Sequence, residues 1–544
     1  MGRLNNLIAK IAPEYAMKRE IAQQRLKRLQ TAYKNERSFD AVAGGRLRYN
    51  FLTDSRSPDS SIANDIKSLR NHVRQMEYNS GFVSGPIQRI VKNVVGQGIR
   101  YQGRVMADDN DFEFPRITQA EADAFNYSAE KHFKQWAKRA DKRLMVSFWE
   151  IQSLAEAALI RDGECLVIGR TSGRRDRLIP YCLEVLEADR LQTPPEEIQN
   201  PRIRNGIRFD DEGAPVSYFL LKAHPGESLS ILHNASDFEE VPAFNANGTR
   251  KVMHLFNPLR PEQTRGFSQY AAGLKDLQDL ERYMEAEKIK TLEAACITGM
   301  VTTENPVGYV GNYTQDSGSD DYERIHEFAP GKWHYFKPGE KAEIFNPNKP
   351  NEAFGDYIDQ LVRGPANALD IPPEVFSQNW RGMNYSNART VLLQFYAACA
   401  ERQFFLINHL CTPVWENVAR WLIVKGKVPA TGFDRRPEDY LRSAWIPSVY
   451  RKWVDPLKEA KGKETNVNNH FETLSDIHAE QGKDFDEVME TRARELRKIK
   501  ELEEKYDISL GAGGAGSDEP VEDDEEEAGG LPPRVYSIKG GNRK

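Results

Sequence analysis

The stretch SQYAAGLKDLQDLERYMEAEKIKTLEAACITGMV, residues 268–301, decides how the chain is read. It has no proline and, before its last turn, only Gly273. Leu274, Leu277, Leu280, Met284, Leu292 and Ala295 recur at the spacing that lines up one side of a helix. Wholly helical, the stretch would span roughly 50 Å at 1.5 Å per residue. That length suits a strut better than one face of a compact core.

The residues before the strut read as a mixed α+β region. Residues 60–100 predict a helix, a loop at YNSGFVSGP, and a second apolar helix, IQRIVKNVVG, ended by Gly96 and Gly98. Ala122, Phe125, Ala129, Phe133 and Trp136 form the apolar face of a further helix. After a helix running to Ile160 and a turn at Asp162-Gly163, the period changes. CLVIG reads as a strand with LIPYCLEVL as its partner, GIRFDDEGAPVSYFLL as a hairpin, and KVMHLF as another strand.

Beyond the strut, residues 302–350 are punctuated by Gly and Pro, with KWHYF and KAEIF as short strands around a KPGE turn. NEAFGDYIDQLVRGPANALD returns as helix and stops at Pro372-Pro373. ARTVLLQFYAACAERQFFLINHLC predicts a second long helix, which Pro413 bends or ends. Residues 465–508 are helical and charge-rich, with opposite charges three to four apart. From Gly511 onward, GAGGAGSDEPVEDDEEEAGG offers almost nothing apolar to bury and predicts a disordered acidic tail.

Composition narrows the function classes. At 544 residues the chain is too long for one core. A formal charge of −6 does not describe a generally basic nucleic-acid binder. No unbroken apolar run approaches the roughly 18 residues of a membrane span. The basic amphipathic N-terminus lacks the apolar run and cleavage site of a signal peptide. Its Arg25, Lys27, Arg28, Lys34 and Arg37 make either a solvated helix face or an arm for an anionic partner. Cys165, Cys182, Cys296, Cys399 and Cys411 have no CxxC spacing, which points to buried thiols in a reduced compartment.

No sequence motif for catalysis stands out. There is no GxxxxGK[ST] phosphate loop, no GxGxxG between strand and helix, and no HExxH. The EDDEEE run lies in the tail, without a scaffold to fix metal ligands. The stretch WRGMNYSNAR, residues 380–389, places Ser386 at a loop-to-helix junction, but without the flanking glycines of a nucleophile elbow. Ser386 and Asn387 read instead as the helix cap, since their side chains can satisfy the free N–H groups of a first turn. Trp380, Arg381, Met383, Asn384 and Tyr385 then form a presented rim.

Several stretches together resemble the lambda-type family of tailed-phage portal proteins. They are RDGECLVIGR, the hairpin GIRFDDEGAPVSYFLLKAHPGE, and HLFNPLRPEQTRGFSQYAAGLKDLQDLERYMEAEKIKTLEAA with Gln263, Arg265 and Gly266 in its QTRG core. MNYSNAR and SAWIPS…VDPLKEAKGK follow in the same order, so the resemblance covers about residues 60–500. The chain differs in ETNVNNHFETLS, which is more polar than the family's usual step, and in its long acidic tail.

The resemblance implies a predominantly helical α+β portal fold, assembled as a ring, usually a dodecamer. Residues 1–59 would be a basic arm, 60–267 the wing, 268–301 the first stem helix and 302–350 the clip. Residues 351–375 would be the second stem helix and 376–386 the tunnel loop. Residues 387–439 would be the long channel-side helix and wing return, 440–510 the crown, and 511–544 the tail. It further implies a non-enzymatic DNA channel at one capsid vertex of the virion, assembled in the host cytoplasm. The large terminase, the major capsid protein or scaffold, and head-completion proteins would be its partners, with no cofactor and no membrane. Trp380, Arg381, Met383, Asn384 and Tyr385 would line the tunnel loop. Asp276, Asp279, Glu281, Glu285 and Glu287 would give the stem an acidic lining that opposes adhesion to double-stranded DNA. The alternatives are a nuclease whose carboxylates meet only in the fold, and a helical scaffold that forms no ring.

Overall fold

The computed structural model describes residues 55–107, 117–227, 234–296, 300–303, 340–343, 354–447, 456–481 and 483–506. The chain divides into two compact units, residues 1–64 with 260–263, and residues 65–259 with 264–544. In the first, Ser57 caps the short helix Pro58–Ile62, its hydroxyl accepting the Ser60 N–H at 3.2 Å. Most of the basic arm and the whole acidic tail lie outside the described residues.

The second unit holds the mixed region. Helices α1 (Ile66–Asn79), α2 (Gly81–Val94), α3 (Gln119–Ala137) and α4 (Phe148–Arg161) pack around strand β2 (Glu164–Thr171). Thr118 with Glu121, and Ser147 with Glu150, form reciprocal capping boxes that start α3 and α4. The five residues expected on the apolar face of α3 are all buried. β2 lies between β3 (Tyr181–Leu186) and β8 (Val252–Phe256), antiparallel to both. Its alternation serves two cores: Cys165 and Val167 face the large helical core, Leu166 and Ile168 a smaller one. The smaller core is closed by the antiparallel sheet β4 (Ile203–Arg204), β5 (Ile207–Phe209), β6 (Pro215–Leu221) and β7 (Phe238–Pro242). The expected strand partners and the hairpin are present.

A long-range pair closes the unit. Strand β1 (Ile99–Gly103) pairs with β11 (Ser443–Pro447), and Tyr101 stacks on Trp415 with ring centroids 3.9 Å apart. At the end of the described chain stand α10 (Pro456–Asn468), α11 (Leu474–Glu480) and α12 (Phe485–Tyr506). The polar departure ETNVNNHFETLS thus supplies the end of α10 and the cap of α11, where Thr473 bonds the Asp476 N–H.

The structure corrects three expectations. The loop expected at YNSGFVSGP shrinks to Ser80, which ends α1 and caps α2 through the Phe82 N–H; Pro86 lies inside α2. The strut is shorter than 268–301. Ser268 caps a 3₁₀ turn at Gln269–Ala272, and the α-helix α5 runs Leu274–Cys296. Pro413 neither ends nor sharply breaks its helix. α8 (Tyr385–Leu406) passes through a π turn at Ile407–Cys411 into α9 (Thr412–Val424), where Pro413 occupies the first turn. The wider π turn absorbs the hydrogen bond that proline cannot donate.

Two short sequence motifs meet at the base of α5. Glu164, fully buried, is gripped by Arg265, whose Nη2 and Nε donate at 2.6 and 2.8 Å. The other Arg265 donors reach the carbonyls of Leu191, Asn205 and Ala188. All five N–H groups of the guanidinium are therefore used. Arg70 donates to Glu164 at 2.7 Å and His254 lies 2.9 Å away. Arg74 spans Asp162 and Asp189, both at 2.7 Å. Glycine is required on both segments. A Cβ on Gly163 (φ +85°) would lie 2.0 Å from the Phe267 backbone, and one on Gly266 2.1 Å from the Gly163 carbonyl.

Burial alone would raise the Glu164 pKa, but Arg265 and His254 outweigh it and hold the carboxyl far below its ordinary 4.5. Burial lowers the His254 pKa below its ordinary 6.5, so the ring is neutral in the fold. In both cases the unfolded chain takes up its proton first. The contribution of these two groups to stability is therefore full well above pH 6.5, falls as His254 is protonated in the unfolded chain, and falls again as Glu164 is protonated there from about pH 4.5 downward. Urea midpoints measured from pH 8 to 4 should show both steps, and His254→Gln should remove the upper one. Arg265→Ala, which strands a buried carboxylate, should cost about 3–5 kcal/mol in the same measurement.

Candidate functional site

The helix pair that springs from this junction is antiparallel. α5 packs on α6 (Phe354–Ala368), with Gly273 against Pro365, Asp276 against Gly364, and Tyr283 against Phe354 and Tyr357. The two glycines set the spacing: a Cβ on Gly273 would meet the Pro365 Cα at 2.5 Å, and one on Gly364 the Asp276 carboxylate at 2.1 Å. Leu277 and Leu280 are fully buried beneath the pair. Further along α5, Ile289 and Leu292 are exposed. Past its end, β9 (Met300–Thr303) pairs antiparallel with β10 (Glu340–Glu343). KWHYF lies outside the described residues, while the start of KAEIF forms part of β10.

The five stem acids do not share one face. At about 100° per residue, Asp276, Asp279 and Glu287 fall on one side of α5 and Glu281 and Glu285 on the other. Glu281 accepts a hydrogen bond from the Ser80 hydroxyl. Asp279 lies 3.9 Å from Arg282 and Glu287 3.7 Å from Lys290. Glu285 is exposed.

α6 leads through α7 (Pro373–Ser377), with Phe376 fully buried, into the 378–384 loop. Gln378 takes a left-handed conformation (φ +59°) that stops α7, and Gly382 another (φ +76°). The Asn379 amide donates to Asp359 of α6 at 3.2 Å and tethers the loop. Trp380 is half-buried against the core, and Met383 is half-buried. Arg381, Asn384 and Tyr385 are exposed.

The cap expected at Ser386 and Asn387 lies two and three residues too late. Asn384 has the extended backbone of a cap and accepts the Asn387 N–H at 2.9 Å. Ser386 and Asn387 are the second and third helical residues. Asn, Ser and Asn all suit the position, so residue type alone could not choose among them. α8 then buries only a narrow stripe of Phe395, Cys399, Gln403 and Leu406, leaving Leu393 and Phe404 57% and 69% exposed.

Elsewhere, four cysteines, Cys165, Cys182, Cys399 and Cys411, are buried free thiols, and burial pushes the Cys165 pKa up to about 12. Among the described residues one trio, Glu187, Asp189 and His224, has ligand atoms close enough to share a cation. Two arginines, Arg70 and Arg74, already claim its Asp189 carboxylate. No described helix is long and apolar enough to cross a membrane.

Comparison with known proteins completes this picture. The chain matches the family profile "Phage portal protein, lambda family" over residues 44–403, well over half its length. The chain belongs to the lambda family of phage portal proteins. Within the family, it is 27% identical over 515 residues to the probable portal protein of Halomonas phage phiHAP-1, covering 90% of this chain and 92% of the relative. It is 20% identical over 480 residues to portal protein B of Escherichia phage lambda, covering 83% and 87%. Among solved structures, a chain in the virion of a native gene transfer agent particle is similar at TM-score 0.42 and 14% identity, covering 77% of this chain and 93% of that one. The portal resemblance borne by the DGE, QTRG and MNYSNAR stretches is thus confirmed at the level of the family. What sequence reading missed is that the first two touch, through Glu164 and Arg265, and that Asn379 ties the loop ahead of the third to α6.

Asn384→Ala should lower stability by about 1 kcal/mol in chemical denaturation. Ser386→Ala should change it by no more than about 0.5 kcal/mol.

Proposed function

We propose that the chain acts as the portal of a tailed phage, assembled into a closed ring that conducts DNA through one vertex of the capsid. The observation that carries the ring is α8. A helix with Leu393 and Phe404 exposed beside a single buried stripe lacks apolar cover in one copy of the chain. Exposed Ile289 and Leu292 on α5 repeat the deficit. A ring of identical copies supplies such cover to every subunit through the same contact, and we take its number as twelve.

In this reading α5 and α6 are the stem and the segment bracketed by β9 and β10 is the clip. The mixed region is the wing, and α10 to α12 belong to the crown. The clip would dock the large terminase during packaging and head-completion proteins afterwards, with the wing facing the major capsid protein or scaffold. The 378–384 loop would line the tunnel. With Trp380 turned to the core and Asn384 engaged as a cap, Arg381 of the loop and Tyr385 at the start of α8 are the side chains most available to passing DNA. Of the stem acids on the two faces of α5, Glu281 is held by Ser80, Asp276 packs against Gly364, and Asp279 and Glu287 lie beside Arg282 and Lys290, so the exposed Glu285 would be the one most available to the bore or a neighbour. The family is structural rather than enzymatic, and packaging energy would come from the terminase.

Negative-stain electron microscopy of the purified chain should show rings with a central hole. The double variant Leu393→Glu, Phe404→Glu should remain monomeric by light scattering while keeping its circular dichroism. Rings from that variant, or none from the unaltered chain at high concentration, would overturn the ring.

A further inference from the structure

A groove of about 620 Å³ lies between α9 and the ends of β2 and β3, with Gly169, Tyr181, Lys251, Arg420, Trp421 and Val424 in its lining. That volume suits a small ligand or a few residues of peptide. Two polar atoms of the lining, Tyr181 Oη and Arg420 Nε, are buried and have no hydrogen-bond partner among the described residues. Tyr181 is only 4% exposed, and its hydroxyl sits over Gly169, where an added Cβ would come within 2.9 Å of it. Burial pushes the phenol pKa far up, so it stays protonated and offers a donor. A buried donor left unsatisfied costs about 1–3 kcal/mol.

The charged groups of the lining are all cationic, set among the neutral amides of Asn245, Asn247 and Asn417. Tyr181, Arg420 and Lys251 all donate, and no carboxylate lines the groove. Arg170, also in the wall, is already committed to Glu184 at 2.7 Å and Glu239 at 2.5 Å. Trp421 and the 76%-exposed Val424 add an apolar patch. The groove is therefore built for carboxylates carried on a backbone with a small apolar side chain among them.

We propose that the occupant is the chain's own acidic segment, residues 517–527, SDEPVEDDEEE. It has eight carboxylates, no basic residue, and Val521 as its aliphatic side chain. The spacer from Tyr506 gives these residues a reach of about 40–70 Å when extended. Duplex DNA fits less well: Lys251 and Arg420 are the lining's cations outside the Arg170 ion pairs, and Arg420 already lies over the Phe433 ring and within electrostatic reach of Glu416, whereas affinity for a phosphate backbone grows with each charge neutralised.

Zero-length carbodiimide coupling on the full chain, followed by trypsin and mass spectrometry, tests this directly. Lys251 should be joined to the tryptic peptide 506–534, which contains the acidic run. Tyr181→Phe removes only the hydroxyl, and Arg420→Gln removes the charge together with the Nε and Nη donors of the guanidinium. Each should cut the yield about tenfold, the worth of one hydrogen bond to a charged acceptor. An excess of synthetic 517–527 peptide should abolish the link in the unaltered chain, which keeps the test valid if a variant fails to fold. Absence of the Lys251 link, yields unchanged in both folded variants, or a link that survives the peptide would overturn the proposal. Protection of Lys251 from acetylation by duplex DNA, without a tail link, would overturn it in favour of a nucleic-acid site.

Discussion

One buried carboxylate organises the molecule. Glu164 opens β2, the strand whose two faces build the two cores, and Arg265 lies eight residues before the last residue ahead of α5. Their bidentate pair fixes the base of the long helix to the sheet. Ion pairs in the interior are weak contributors to net stability, because desolvation offsets the attraction. What this one supplies is position. A guanidinium with all five donors assigned can be satisfied in one place only, and the glycine pair 163/266 lets the two backbones cross at contact distance. An apolar substitute would keep the burial and lose the registration.

From that anchor the helices are held at their ends more firmly than along their lengths. α5 is buried at Leu277 and Leu280 and exposed at Ile289 and Leu292. α6 is fixed near Gly364 and Pro365, and its loop by the Asn379–Asp359 bond. α8 is capped by Asn384 at one end and runs into a π turn at the other, where Arg402 donates to Glu156, Gln269 and the Leu369 carbonyl. The common pattern is a rigid attachment followed by a stretch of helix with unused apolar surface.

Much of this was legible in the residues, for identifiable reasons. The face of α3, the β2–β3 pair and the β5–β6 hairpin follow from local periodicity and turn chemistry, which one strand or helix carries by itself. The misreadings cluster where several residues satisfy one rule. Asn384, Ser386 and Asn387 are all good caps, and backbone conformation chose the first. Gly81, Gly85 and Pro86 look like a loop, yet Ser80 at the start and the buried Val83, Ile87 and Ile90 make them helix. Pro413 is a breaker by rule, and a π turn accommodated it. The Glu164–Arg265 contact joins positions 101 apart and has no local signature, although both motifs that contain it could be quoted.

The exposed apolar residues of α8 carry the energetic case for assembly. Fully burying a Leu or Phe side chain is worth about 1.5–3 kcal/mol, and Leu393 and Phe404 are both more than half exposed. In an isolated chain that surface is a liability, since it invites nonspecific association. In the proposed closed ring it would be covered once per subunit, so the gain would be multiplied by the number of contacts while each contact stays modest. The loop ahead of α8 belongs to the same logic. Its backbone is fixed by the Gln378 and Gly382 left-handed turns and by the tether to α6. A ring formed through α8 would therefore repeat Arg381 and Tyr385 at fixed positions, without ordering the loop anew in each copy.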